Sequence, residues 1–446
     1  MFTVLIQTLG CKLNQLESEA IIEAFDNSGF SLYKPSSGVS PSVIVINTCT
    51  VTSKADQKAR RVIRKALRDY PESCVLVTGC YARLNKEDLL KLKSNNKQRL
   101  FIFEKDNILK LPQYFLENKS INFNEQFQMN YEQGQEYRKD VFQFNPKLFS
   151  VHTRGFLKIQ DGCDRHCTYC RIRLARGQSV SLDAKTVLER LRIIEEDHAE
   201  AVLTGVNICQ YRDKKEAANL ARLLEYLLSG TEKIALRLSS LAPESIDEDF
   251  AKILSHKRIR PHFHLSIQSG SKKVLEKMGR SYNANIIENA VTLLRRAKDD
   301  PFFACDIITG FPGETETEFQ ETYDMCKKIN FAWIHVFPFS KRPGTSAWSF
   351  PQTLPEKVTT ERVRLLTELA NQGRADYVRR RLGRETDVLI EKNGKYCRGI
   401  SENYLKLLVK YKGEKAPKPG SVLRCKLSEA DKSGDFDAIG EEINYS

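Results

Sequence analysis

Three cysteines, Cys163, Cys167 and Cys170, stand close together directly after an apolar stretch that is typical of a β-strand. Their C-x-x-x-C-x-x-C spacing lets one loop hold three corners of a four-iron cluster and leaves the fourth iron open to a small molecule. Iron–sulfur clusters are ordinarily held by four cysteine thiolates, so a set of three predicts that something other than protein completes the site. Half of a structural zinc site is the alternative, although zinc sites favour paired clusters and no second pair lies nearby. His166, inside the loop, is expected to be a non-ligand.

A second set of cysteines, Cys11, Cys49 and Cys80, is spread over the first part of the chain. Each follows a strand-like stretch, and the carboxyl ends of parallel strands are where open α/β sheets build ligand sites. The sequence therefore allows a second three-cysteine iron–sulfur site drawn from three distant loops. The alternative is three buried apolar cysteines, a common fate of free cysteine. Cys74 lies inside a predicted strand and is expected only to pack.

The elements that must position the second set follow an alternating strand and helix pattern, which indicates a parallel α/β sheet. Strands are predicted at Val4–Gln7, Val43–Asn47, Cys74–Thr78 and Leu100–Phe103, with helices over Glu17–Asn27 and Ser53–Asp69. The following stretch, residues 118–150, is rich in Asn and Gln, shows no clear period and is predicted to be a linker.

From Phe156 the alternation resumes, and its strand–helix units predict a full or partial barrel with its site in the loops after the strands. The strands are predicted at Phe156–Gln160, Ala201–Thr204, Ile234–Ser239, His262–Ile267, Phe303–Ile308 and Trp333–Phe337. After a helix over Glu361–Arg381, short strands punctuated by glycines predict a small all-β barrel.

The expected fold class is therefore α/β with an added β domain. The domains are predicted as an N-terminal parallel α/β sandwich over residues 1–117, the linker over 118–150, a central partial (β/α)6 barrel over 151–380, and a C-terminal β-barrel over 381–446.

Composition limits the kinds of partner and the cellular compartment that are expected for this chain. A formal net charge of +13 over 446 residues points to a polyanionic partner such as nucleic acid. The apolar runs are strand-sized and fall short of the roughly 18 residues that a membrane helix needs, so no membrane partner is expected. The N-terminal residues are typical of a strand and not of a signal peptide. Without an export signal, 12 cysteines indicate a reducing, cytoplasmic compartment.

Two basic regions are candidates for nucleic-acid contacts. The helix after Cys49 carries cations at helical spacing on one face, namely Lys54, Lys58, Arg61, Lys65 and Arg68. The C-terminal region carries Lys406, Lys410, Lys412, Lys415, Lys418, Tyr404 and Tyr411, and the junction before it carries Arg379, Arg380, Arg381 and Arg384. Both regions could bind RNA phosphates, which dominate affinity, or could simply be solvated surfaces.

These motifs together resemble the radical S-adenosylmethionine (SAM) enzymes and, within them, the methylthiotransferases. The family's radical motif is similar to Ile159–Cys163 through Ala175–Gly177, and its N-terminal cluster motifs are similar to Gly10–Asn14, Asn47–Cys49 and Gly79–Cys80. Further barrel landmarks are similar to Leu203–Asn207, Gly310–Glu314 and Ser340–Thr345, and the C-terminal segment resembles a TRAM domain, a small RNA-binding β-barrel. The chain departs from the family pattern at Arg171 and Arg173, where apolar residues and a proline are common.

The resemblance implies two 4Fe-4S clusters. The loop trio, Cys163, Cys167 and Cys170, would hold the cluster whose open iron binds SAM. The distant trio, Cys11, Cys49 and Cys80, would hold an auxiliary cluster that carries the sulfur to be inserted. No further catalytic residue is expected beyond these ligands.

Contacts to SAM are expected from two strand ends. Thr204, Gly205 and Asn207 follow one strand, and an ordinary strand–helix turn explains each of them nearly as well. Ser266 and Gln268, at the end of another strand, are expected to face the same cavity.

The resemblance also implies a substrate. Thr8–Ser18 and Thr48–Thr52 are most similar to the branch that adds a methylthio group to C2 of N6-threonylcarbamoyladenosine at position 37 of tRNA. The same chemistry on isopentenyladenosine in tRNA, or on an aspartate of a ribosomal protein, is the alternative. A non-enzymatic, zinc-containing RNA-binding protein is the alternative outside the family. Besides tRNA, a flavodoxin-like or similar electron donor is implied, and a monomer is the default expectation.

Overall fold

The computed structural model describes residues 2–35, 40–93, 99–118, 140–147, 149, 152–213, 215–351, 353–394, 396–431 and 434–443. The chain divides into two compact units, of which the first comprises Met1–Val151, Asp161–Asp164 and Cys170–Ser179. The second comprises His152–Gln160, Arg165–Tyr169 and Val180–Ser446. Most of the linker predicted over 118–150 lies outside the described residues.

The first unit is built on a parallel sheet with the strand order β2-β1-β3-β4-β5 among its described residues. The strands are β1 (Thr3–Thr8), β2 (Ser31–Leu32), β3 (Val43–Thr48), β4 (Cys74–Gly79) and β5 (Leu100–Ile102). The helices are α1 (Lys12–Asn27), α2 (Ser53–Asp69), α3 (Cys80–Leu84), α4 (Lys86–Lys93), α5 (Lys105–Ile108) and α6 (Leu111–Asn118).

Strands β3 and β4 are buried along their whole length, as expected for central strands of a parallel sheet. Their side chains alternate between two cores, with Val43 and Val45 in one and Ile44 and Ile46 in the other. Cys74 packs into the first core, which confirms the role predicted for it.

The second unit contains the partial barrel. In chain order the strands are β6 (Gly155–Lys158), β7 (Gln160–Asp161), β8 (Val180–Ser181), β9 (Glu200–Thr204), β10 (Ala235–Leu238), β11 (His262–Gln268), β12 (Phe302–Thr309) and β13 (Trp333–Pro338). The helices over the same stretch are α7 (Ile172–Arg176), α8 (Ala184–Asp197), α9 (Leu220–Gly230), α10 (Glu248–Leu254), α11 (Lys272–Lys277), α12 (Ala284–Ala297), α13 (Glu316–Ile329) and α14 (Glu356–Arg381). Of these elements, α7 and Asp161 of β7 belong to the first unit. Two parallel sheets, β10-β9-β6 and β11-β12-β13, are connected by a bridge between Leu241 and Leu265. The predicted barrel strands are confirmed.

The last strands close into a small barrel in the order β14-β15-β16-β18-β17, which confirms the predicted β domain. They are β14 (Glu385–Lys392), β15 (Cys397–Ser401), β16 (Lys406–Lys410), β17 (Val422–Ala430) and β18 (Ala438–Glu442). No helix in the described part of the chain is both long and apolar enough to span a bilayer.

Two residues of the basic region around this small barrel, for which RNA binding or a solvated surface is predicted, make contacts within the fold. Tyr404 lies against the ring of His262 at a centroid distance of 4.3 Å and under the Arg237 guanidinium at 5.1 Å. Arg381 is buried and donates a hydrogen bond to the Asn403 side chain. Arg381 and Tyr404 therefore both make contacts inside the second unit, whereas the predicted lysines of the barrel are exposed.

Candidate active site

Sheet register brings two of the distant cysteines together. The pairing of β3 with β4 sets Thr48 opposite Gly79. Cys49 and Cys80 are the next residues, so they leave neighbouring strands at the same level, and such strands lie about 5 Å apart. Both side chains are buried.

Cys11 joins them from the loop after β1. Its neighbour Gly10 packs on Cys49, since a Cβ at Gly10 would lie 3.0 Å from the Cys49 Sγ. Burial raises the pKa of the Cys49 thiol to about 11, and the nearby thiols of Cys11 and Cys80 add to the rise. The three cysteines predicted to act together therefore lie at one edge of the sheet.

Two asparagines hold these loops in place. The Asn14 side-chain amide donates to the carbonyls of Leu9, at 2.8 Å, and Thr48, at 3.0 Å. The Asn47 amide donates to the Asn14 carbonyl at 3.0 Å and to the Ser18 hydroxyl at 3.2 Å. Both asparagines occur in the cysteine motifs of the sequence, yet their role as loop anchors was not predicted.

A buried arginine lies beside the same trio. Arg176 is only 5% exposed and forms ion pairs of 3.1 Å with Glu17 and with Asp161. Its second nitrogen donates to the Asn14 side-chain carbonyl at 3.3 Å, and that oxygen also accepts from the Cys11 thiol at 3.7 Å. Burial opposes the charge on Arg176, but Glu17 and nearby thiols raise its pKa well above the ordinary value. A permanent cation therefore stands among the thiols.

The radical-motif loop is shaped by its own backbone. The amide of Cys163 donates to the Gly177 carbonyl at 3.1 Å. Gly162 adopts a φ of 70°, and a Cβ there would collide with the Gln178 carbonyl, so glycine is needed where the chain crosses itself. The Cys170 sulfur accepts from the Ile172 amide at 3.4 Å.

Arg173, one of the two residues that depart from the family pattern, has a local role. Its guanidinium donates to the Asp164 carbonyl at 3.3 Å, and the Asp164 side chain accepts from the Ser179 amide at 2.9 Å. Arg171 is the residue directly before α7 and is largely buried. The extra cation at Arg173 thus ties the end of the loop to its beginning.

The middle of the loop belongs to the second unit. Thr168 donates from its amide to the Met278 carbonyl at 3.0 Å and from its hydroxyl to the Lys277 carbonyl at 2.8 Å. Arg280 donates to the Tyr169 hydroxyl at 2.7 Å and interacts electrostatically with Cys167. These bonds fix the position of Cys167 near α11.

Gln160 organises one of the predicted SAM-binding turns. Its side-chain oxygen accepts from the Asn207 amide at 2.8 Å and would lie 2.9 Å from a Cβ at Gly205. Thr204 is buried at the end of β9, and its carbonyl accepts from the Ile159 amide at 3.0 Å. Contact of these residues with SAM stays a prediction.

The second predicted SAM-binding turn is held by a tyrosine. The Tyr282 hydroxyl lies within hydrogen-bonding distance of the carbonyls of Ser266, at 2.6 Å, and Ile267, at 2.9 Å. Gln268 is buried at a bulge, with a φ of 72°. These positions lie at the carboxyl end of β11, and their contact with SAM also stays a prediction.

Comparisons with known proteins show the family. Residues 157–326 match the radical SAM superfamily, and residues 3–100 match the uncharacterized protein family UPF0004. The chain is 39% identical to the threonylcarbamoyladenosine tRNA methylthiotransferase MtaB of Treponema pallidum, over 96% of this chain and 98% of that protein. The chain belongs to the radical SAM methylthiotransferase family.

Other relatives agree with this assignment. The Aquifex aeolicus protein of the same name is 36% identical over 90% of this chain and 95% of its own length. The cobalamin-binding radical SAM methyltransferase TsrM from Kitasatospora setae shares the fold, with a TM-score of 0.51 at 12% identity, over 78% of this chain and 73% of its own. As a radical SAM enzyme, the protein uses SAM and a 4Fe-4S cluster, which overturns the alternative of a non-enzymatic zinc protein.

The donor set at the sheet edge fits a cluster. The ligands of a single zinc ion must all lie about 2.3 Å or less from it, whereas cluster cysteines bind to separate irons. Two buried thiols and the exposed thiol of Cys11 at one sheet edge, with Arg176 as a neighbouring cation, suit the wider arrangement.

Proposed function

We propose that the enzyme adds a methylthio group to C2 of N6-threonylcarbamoyladenosine at position 37 of tRNA. The observation that carries this proposal is the convergence of Cys11, Cys49 and Cys80 at one sheet edge. A second thiol set is what sulfur insertion requires in addition to SAM cleavage. Relatives of 36% to 39% identity carry the name of this activity.

Cys163, Cys167 and Cys170 would hold the cluster that binds SAM, and Cys11, Cys49 and Cys80 would hold a second 4Fe-4S cluster. When bound, the clusters and SAM together supply the radical that removes hydrogen from the base, and the sulfur and methyl groups that are transferred. The protein's own part is to position them. Arg176 keeps a positive charge beside the distant trio, where thiolates must form.

The exposed basic residues support tRNA as the substrate. On α2 the predicted face is exposed at every position, namely Lys54, Lys58, Arg61, Lys65 and Arg68. On the C-terminal barrel Lys406, Lys410, Lys412, Lys415 and Lys418 are also exposed. Phosphate contacts of this kind make binding strongly salt-dependent. The proposed function includes a cytoplasmic location and an electron donor that is flavodoxin-like or similar.

The decisive experiment is mass spectrometry of tRNA nucleosides, and of ribosomal protein, from a strain that lacks the gene. We expect threonylcarbamoyladenosine to accumulate at the expense of its 2-methylthio form. The wild-type gene should restore the product, and a Cys49→Ala gene should not. Loss of methylthiolated isopentenyladenosine, or of a modified ribosomal aspartate, would overturn the proposal in favour of the corresponding branch.

A further inference from the structure

The interior of the partial barrel carries a polar cluster that the cysteine sites do not use. Ser240 Oγ lies 2.6 Å from Nδ1 of His264, and Nε2 of the same ring lies 3.1 Å from an oxygen of Asp306. A carboxylate only accepts hydrogen bonds. Nε2 of His264 therefore donates to Asp306, and Nδ1 shares a hydrogen bond with the Ser240 hydroxyl.

The backbone holds this cluster in place. Ser240 precedes the bridge between the two sheets, in which the Leu241 amide donates to the His264 carbonyl at 2.8 Å and the Ser266 amide donates to the Leu241 carbonyl at 2.9 Å. On the next strand Asp306 is paired in register with His335 of β13. The cluster is thus drawn from adjacent strands and from the segment that connects the sheets.

The cluster faces the barrel interior and is open to solvent. Cys305, next to Asp306, forms a hydrogen bond with Cys326 of α13, and side chains alternate along a strand, so Asp306 points inward. The side chains of His264 and Asp306 are 17% and 22% exposed. A group that enters the barrel can therefore reach them.

Aromatic rings line the same interior on the edge strand. The His335 ring lies edge-on to His264 at 5.3 Å and is stacked with Phe337 at a centroid distance of 6.4 Å. Phe337 is 38% exposed and stands nearer the carboxyl end of β13, where barrel sites open. Proteins hold an extruded base by this combination of a ring to stack on and hydrogen bonds to its edge.

We propose that this interior cluster binds the substrate base and reads its N6 substituent. Phe337 and His335 stack on the base, and Ser240, His264 and Asp306 form hydrogen bonds with the substituent. The inference rests on the proposed function and extends it to the residues that select the substrate.

The chemistry of the two candidate N6 substituents shows which of them suits the polar cluster. A threonylcarbamoyl group carries urea N–H groups, a hydroxyl and a carboxylate, whereas the dimethylallyl group in the name of the 29% identical Francisella philomiragia relative is hydrocarbon. A hydrocarbon here would displace water from Ser240, His264 and Asp306 without replacing its hydrogen bonds. Sites built to bond polar groups reject analogues that lack them.

The test measures binding of the reconstituted holoenzyme to one tRNA in three forms, with position 37 unmodified, threonylcarbamoylated or dimethylallylated. We expect the wild type to prefer the threonylcarbamoyl form. His264→Phe should reduce that preference about tenfold, the effect of losing roughly 1.4 kcal/mol of hydrogen bonding. Phe337→Ala should instead weaken the binding of all three tRNA forms similarly, because stacking on the base does not depend on the substituent.

His262→Phe is the matched control, because the same substitution is made on the same strand where the ring packs on Phe302 and Tyr404. It should leave the preference unchanged. If His264→Phe is unstable by thermal melting, Ser240→Ala removes one hydroxyl and should lower the preference about threefold.

The outcomes separate the two claims. A wild type that prefers the threonylcarbamoyl form, with His264→Phe and Ser240→Ala folded and equally selective, overturns the inference and leaves the proposed function standing. A wild type that prefers the dimethylallyl form overturns both.

Discussion

The two cysteine trios are positioned by different physical means. Cys49 and Cys80 are set by the register of β3 and β4, and Cys11 by the loop after β1. The loop trio is shaped by bonds within its own loop, such as that from the Cys163 amide to the Gly177 carbonyl, and by bonds from Thr168 to the carbonyls of Lys277 and Met278. One site therefore depends on the register of a sheet, and the other on a single loop and the segment that holds its middle, so substitutions should separate them.

The largest expected effect comes from removing one thiol of each trio. Cys49→Ala and Cys167→Ala should each lower the iron content from about eight to about four per chain and abolish product. Only Cys167→Ala should abolish formation of 5′-deoxyadenosine from SAM, because the proposed function assigns the SAM cluster to the loop trio alone. Iron analysis and chromatography of the nucleoside check this. Cys74→Ala, a core cysteine, is the control and should keep all the iron; full iron in Cys49→Ala would refute the auxiliary site.

Arg176→Gln should disturb the sheet-edge site next most strongly. It leaves Glu17 and Asp161 buried without this cation, and breaking such a pair costs about 3–5 kcal/mol. We expect Arg176→Gln to lower the midpoint of thermal unfolding. In a protein whose loop cysteines are replaced by alanine, we also expect Arg176→Gln to reduce the iron content.

Lys105→Gln is the matched control for Arg176→Gln. Lys105 also pairs with Glu17, at 2.5 Å, whereas Arg176 in addition acts electrostatically on the Cys49 thiol and lowers its pKa. It should lower stability while keeping the iron. Equal iron loss in both variants would show that Arg176 acts only through Glu17.

Gly162→Ala should disturb only the loop site. The new methyl group would collide with the Gln178 carbonyl at a positive φ, so the loop must shift. Gly177 also has a positive φ, but a Cβ there would meet no atom within 4 Å. Gly177→Ala therefore costs only the backbone strain of about 1–3 kcal/mol. SAM binding, measured by calorimetry, should fall more in Gly162→Ala than in Gly177→Ala. Equal losses would contradict a steric origin.

The smallest effect is a difference in thiol reactivity in the protein without clusters. The raised pKa of Cys49, about 11, leaves roughly one thousandth of that thiol ionised at pH 8, and the thiolate is the form that alkylates. Iodoacetamide should therefore label exposed Cys11 well before Cys49, with the Cys49 rate rising as the pH approaches 11. Peptide mass spectrometry measures both rates, and equal labelling at pH 8 would contradict the burial of Cys49.

Much of the fold could be predicted from local patterns. Val43–Asn47 and Cys74–Thr78 were predicted as strands and form β3 and β4, each one residue longer. A run of β-branched residues between turns is a sufficient signal for a buried parallel strand. Helix α1 was predicted from Glu17 but begins at Lys12, because the amphipathic pattern becomes clear only after its first turn.

Two residues of the basic regions make tertiary contacts that the sequence does not predict. Charge and ring make Arg381 and Tyr404 candidates for RNA binding or for a solvated surface, but Arg381 is buried and Tyr404 stacks on His262. The exposed face of α2 was predicted correctly, because its cations recur at the helical period and its apolar residues face the sheet.

The sequence by itself determined the donor types, the spacing of Cys163, Cys167 and Cys170, and the position of the other cysteines just past strand ends. Only the tertiary structure decided that Arg176 lies among Glu17, Asp161 and the distant trio, and that Ser240, His264 and Asp306 meet inside the barrel. The physical reason is that local periodicity reports burial, residue by residue. Which charged and polar groups meet depends on strand order and register, and these are set by pairings between distant parts of the chain.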